Sequence, residues 1–181
     1  AGFIAILITS LPASASSKIV GHRAFYELKL GDRDQNSFVT SVNGRSAFSI
    51  ERDCGGWRSV EDYMIQFLGD DGQSDNLLSH FESWESDSGN MYSFDILEES
   101  TMDGRREFGG FVELDGDFTG RAFFSMEPDV PLVLPNETLL PIRHVHKLLE
   151  SAEAGQKSLG ATLFTGNEPD TALMKTNTVF G

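Results

Sequence analysis

The chain has 181 residues, with 28 Asp plus Glu against 14 Lys plus Arg and a formal net charge of −14. A field of that sign repels phosphate backbones and anionic lipid surfaces, which argues against nucleic-acid binding and against direct docking on an anionic membrane. The length suits one domain, and its aromatic content is weighted to Phe, with 14 Phe against 3 Tyr and 2 Trp.

The first ten residues, Ala1 to Ser10, are apolar and uncharged, and Leu11-Pro12-Ala13-Ser14-Ala15 follows. A short apolar core, a Pro bend and a small-x-small ending predict a secretory signal peptide over residues 1–15, cut after Ala15. The alternative is a buried N-terminal strand. The run is too short to span a bilayer comfortably. With no start Met and no basic leader, the signal is expected to be clipped at its start. The remainder, residues 16–181, is expected to be a single β-rich domain of an exported, periplasmic protein.

From Arg23 onward the pattern has period two, as half-buried antiparallel strands require. Ala24, Tyr26, Leu28 and Leu30 share one face; Phe48 and Ile50 continue it, as do Trp57, Tyr63, Ile65 and Phe67. Tyr92, Phe94 and Ile96 follow, then Phe111 to Leu114 and Arg121 to Met126. Turn signals stand between these runs at Asn43-Gly44, Asp70-Asp71-Gly72, Ser88-Gly89-Asn90, Asp103-Gly104 and Asp115-Gly116. The spacing predicts a mainly β chain, an antiparallel meander that curls or closes to protect its edges.

One segment breaks the pattern. Pro141 to Ala154 places Ile142, Val145, Leu148, Leu149 and Ala152 on one stripe, with Pro at its start and Gly155 just after its end. These are helix punctuation marks, and the amphipathic helix is expected to lay its stripe across the concave sheet face. If the sheet encloses a cavity there, Ile142, Val145 and Leu149 are the expected lining. Strand patterning resumes at Leu159 to Phe164 and at Met174 to Phe180.

Motifs for chemistry are sparse. His144 and His146 stand two apart, which on a helix points them about 200° from each other, and no further ligand set surrounds them. No metal site and no cofactor is expected. Neither a Gly-x-Ser-x-Gly elbow nor a phosphate-binding glycine loop is present, so no catalytic residue is assigned. Asp70 to Asp75 does not match the spacing of a calcium loop and reads as a solvated turn. The single cysteine, Cys54, is a buried thiol, a link to another chain, or half of a disulfide whose partner lies elsewhere.

Several stretches resemble a family of Gram-negative periplasmic cell-envelope integrity proteins, the EipB type. They are His22 to Leu28, Asp53-Cys54-Gly55-Gly56-Trp57, Glu82 to Gly89, Gly109 to Leu114, and Leu134-Pro135-Asn136-Glu137-Thr138-Leu139-Leu140-Pro141-Ile142-Arg143-His144. The last is the most specific. The chain departs from the family pattern at Phe164-Thr165-Gly166-Asn167 and at Leu140. The resemblance implies a long antiparallel sheet curved into a spiral or half-barrel, crossed by one helix and similar to periplasmic lipoprotein carriers. It further implies that Cys54 pairs with a second cysteine in a continuation of the family's sequence beyond residue 181. The expected function is non-enzymatic support of the cell envelope through an envelope protein or lipidic partner. The alternatives are a carrier that shields acyl chains under the helix and, less favoured, an envelope hydrolase using His144.

Overall fold

A computed structural model describes residues 19–32, 37–117 and 119–181. The expected signal segment lies outside these residues. Eight strands follow one another as an antiparallel meander: β1 (His22–Lys29), β2 (Val39–Asp53), β3 (Gly56–Gly69), β4 (Ser74–Ser86), β5 (Met91–Ser100), β6 (Gly104–Leu114), β7 (Gly120–Phe124) and β8 (Glu127–Leu134). A short strand β9 (Thr138–Leu139), the helix α1 (Pro141–Glu153), β10 (Ser158–Phe164) and β11 (Leu173–Val179) complete the described chain. The second sheet has the order β11-β10-β9, with β9 parallel to β10. The fold is mainly β, a β-barrel-like meander with one helix, as the sequence pattern predicts.

Alternation explains which face is inside. On β5, Tyr92, Phe94 and Ile96 are buried, while Met91, Ser93 and Asp95 between them are exposed. Phe108, Val112 and Leu114 of β6 and Ala122 and Phe124 of β7 fall on the same side. β10 closes this core by inserting Phe164, which is fully buried among Phe94 and Phe124 at ring-centroid distances of 5.9 and 6.2 Å. Offset and tilted rings at such spacing add electrostatic preference to the area they bury.

Two expectations are corrected and one strand is added. Asn43-Gly44 is not a turn: it lies mid-strand in β2, opposite Lys29 and Leu28 on one side and Gln66 and Ile65 on the other. Gly44 is there because the neighbouring strand comes too close for a side chain; a Cβ would stand 2.8 Å from the Met64 carbonyl oxygen. β8 escapes the alternation because Pro128 and Pro131 interrupt its pattern, and a strand with prolines survives at a sheet edge, which is where β8 lies. Finally, α1 packs on β10 with its apolar stripe only partly buried. Ser151 is its buried residue, His144 and Leu148 flank it, and Val145 is 39% exposed.

The Phe164 contact joins the small sheet to the large one. Phe164→Ala is expected to cost about 3–5 kcal/mol, read as a lowered urea midpoint with the strand signal retained at low urea.

Candidate functional site

A half-open groove of about 1210 Å³ runs beside α1. Its walls come from five places: Ile19 ahead of β1, Arg52 and Trp57 at the β2–β3 hairpin, Glu85 to Gly89 at the β4–β5 hairpin, the polar side of α1, and the small sheet with Asn136 and Glu137 before it. At 100° per residue, Arg143, His146 and Glu150 form one stripe of the helix, and that stripe faces the groove. The groove is therefore built from the helix's charged side.

The position of α1 rests on Glu85. This residue occupies an inward position of β4, in the series Phe81, Ser83, Glu85, and is 1% exposed. Its Oε2 accepts the Ile142 N–H at 2.7 Å and its Oε1 accepts the Arg143 N–H at 2.8 Å. Helix N-termini leave their first N–H groups without intrahelical partners. Here Pro141 has no N–H to satisfy, and Leu140 at the N-cap offers no side-chain acceptor. One carboxylate from a distant strand fills both remaining vacancies, and the helix dipole favours its charge.

That charge sits in a dry place. Burial pushes the Glu85 carboxyl up to about 7, against the two backbone N–H donors and the Arg143 cation, which favour ionisation. Burial on the helix's inner side lowers the pKa of His144 below its ordinary value.

At the opposite rim, the Arg52 guanidinium lies over the Trp57 ring at 4.9 Å and forks onto Asp87, with Nη2 to Oδ2 at 2.9 Å. The stacking and the fork hold the two hairpins together, and the Asp87 N–H donates to the Gly55 carbonyl at 2.9 Å. Gly89 lies under the Arg143 stem; a Cβ there would meet Arg143 Cδ at 2.8 Å.

Comparison with known proteins decides the family. The chain matches the EipB-like family over residues 13–181. It belongs to that family. It is 25% identical over 174 residues to the cell envelope integrity protein EipB of Brucella abortus (strain 2308), covering 93% of this chain and 60% of that protein. This EipB-like chain thus spans about three-fifths of the length of the curated relative. It also superposes on the crystal structure of a β-barrel-like protein of the domain of unknown function DUF1849, likewise from Brucella abortus. That match has a TM-score of 0.81 at 24% identity, covering 90% of this chain and 68% of the other. At that identity the likeness shows the fold.

The residues singled out in the sequence fall in different places. Of the expected cavity lining, Ile142 faces the groove; Val145 points to solvent and Leu149 stands half-buried outside it. The reason is the roll of the helix, which Glu85 fixes. His144 and His146 do diverge: His146 lines the groove, and His144 turns inward with its Nε2 lacking a hydrogen-bond partner, so no Ser or Asp is paired with it there. No group of three metal-binding side chains occurs among the described residues.

Cys54 sits exposed at the β2–β3 turn as a free thiol. Being the sole cysteine, it forms no disulfide within this EipB-like chain. Glu85 and Trp57 stand in stretches that carry the family resemblance but were given no role, and Arg52 was not singled out; the signal available for Glu85 was a carboxylate at an inward strand position.

Two measurements check this description. Native Glu85 holds its proton up to a pH near 7, whereas an unfolded Glu releases it near its ordinary value of about 4.3. The folded state therefore binds more protons between those values, and stability falls as pH rises through that window. The change is on the order of 3 kcal/mol. Glu85→Gln is expected to remove this slope, seen by comparing urea unfolding of both proteins at pH 5 and pH 8. Second, Cys54 is expected to react stoichiometrically with a thiol reagent without denaturant, and Cys54→Ser to shift stability by no more than about 0.5 kcal/mol.

Proposed function

We propose that this chain is a non-enzymatic periplasmic protein that supports cell-envelope integrity by holding an envelope partner in the groove beside α1. Membership of the EipB-like family supports the envelope role. The observation that carries the binding role is the groove itself, about 1210 Å³, comparable with cavities that accept ligands. Its lining mixes stacked and paired charges with Trp57, Leu139 and Ile142, and charged side chains outnumber apolar ones. This composition favours a polypeptide partner. The apolar members support a second reading, a carrier that seats an acyl chain along Trp57 and Ile142.

The test is complementation. In a strain lacking the gene, the wild-type protein is expected to restore growth on detergent, and Arg143→Glu with Lys147→Glu to fail at equal periplasmic abundance. Full rescue by the double variant would remove the groove from the function. For the carrier reading, a fluorescent fatty acid should bind saturably to the wild type and be lost with Trp57→Ala.

A further inference from the structure

The backbone of β10 is paired along one edge and largely open along the other. Its ladder with β11 sets Ser158 opposite Val179 and Phe164 opposite Leu173. Two bonds extend that ladder: Phe180 N–H to Lys157 O at 3.0 Å and Thr165 N–H to Ala172 O at 2.8 Å. In an antiparallel pair, residues that exchange hydrogen bonds alternate with residues that do not. Lys157 and Thr165 both aim at β11, so Leu159, Ala161 and Leu163 do too. Ser158, Gly160, Thr162 and Phe164 aim their N–H and C=O groups the other way.

On that other side β9 reaches only Thr162 and Leu163. It begins so late because the chain before it turns over Pro135 to Thr138, with Glu137 in the left-handed region at φ 62° and Thr138 N–H bonded to Pro135 O at 3.3 Å. Among the described residues no strand therefore lies against the edge at Ser158 and Gly160, and Leu159 to Thr162 line the groove there.

We propose that the groove takes an uncharged, extended polypeptide segment, added as a strand to this edge of β10. The proposal rests on the groove reading above and names its ligand class. Open strand edges recruit extended chains through main-chain hydrogen bonds. Other free edges carry prolines or charges against such pairing, β8 Pro128 and Pro131, β1 Arg23, Glu27 and Lys29, and β11 Lys175; Ser158-Leu159-Gly160-Ala161 carries neither device. The sheet face at Gly160 is open too, because a Cβ there would have only the Thr176 oxygen within 4 Å, at 3.9 Å. Charge selects the occupant. In a chain of net charge −14, the groove sets Arg52 against Asp87 and Lys147 against Glu150, so its charges are internally compensated. An uncharged peptide backbone meets that surface better than a phosphate headgroup does.

The probe is a fluorescently labelled nonapeptide of alternating Thr and Val, acetylated and amidated, titrated into the full chain. Saturable binding with slowed exchange of the Gly160 amide is the expected result. N-methylation of alternate peptide amides on one edge should weaken binding about tenfold and on the other edge hardly at all. Gly160→Pro, which removes an N–H aimed at the groove and none of the β10–β11 bonds, should weaken it similarly. The N-methyl series probes the same edge without relying on the folding of that variant. No saturable binding, equal sensitivity to both N-methyl patterns, or an unprotected Gly160 amide would overturn the proposal. If one of these occurs while Arg143→Glu with Lys147→Glu still fails in cells, the groove role stands and the strand-addition proposal falls.

Discussion

The arrangement of this molecule depends on one buried carboxylate. Glu85 spans from the large sheet to the first turn of α1 and satisfies two N–H groups that the helix cannot satisfy itself. Ordinary N-caps are local side chains that lie next to the helix in sequence. Here the cap comes from β4, more than fifty residues away, so it fixes the helix in space as well as ending it. The direction of α1, its roll, and the side it turns to the groove all follow from that attachment.

This explains why the helix was readable and its packing was not. Pro141 and Gly155 mark its limits in the sequence, and the structure places it at Pro141–Glu153 with Gly155 in the left-handed region. The apolar stripe predicts a buried face centred on Val145 and Leu149. The observed face centres on Ser151, because a tertiary bond sets the roll before hydrophobic burial is maximised. Periodicity reports which residues can be buried together; it carries no information about a carboxylate reaching in from another strand.

The sheet was legible for similar reasons, and its misreadings share one cause. Alternation located β1, β3, β5 and both strands of the β10–β11 pair, because alternate positions favour one face, fully buried along β5 and at most half-buried along β1 and β11. Asn43-Gly44 mimics a hairpin turn, yet the glycine answers a steric demand from Met64 and Ile65 on the adjacent strand. Pro128 and Pro131 mimic a loop, yet they answer the need of an outer strand to refuse further partners. In both cases a residue's local preference is overruled by a neighbour distant in sequence. The groove belongs to the same class: every wall comes from a different element, so no contiguous motif announces it.

The Phe164 insertion has a mechanical consequence. α1, β10 and β11 meet the large sheet through that ring, through Gly166, Ala172 and Leu173 in the same core, through the Glu85 carboxylate and through the Arg106–Glu168 ion pair. β10 and β11 are meanwhile bonded along their whole length. Elements that share one core open together; the small sheet is part of the meander's cooperative unit and not an appendage to it.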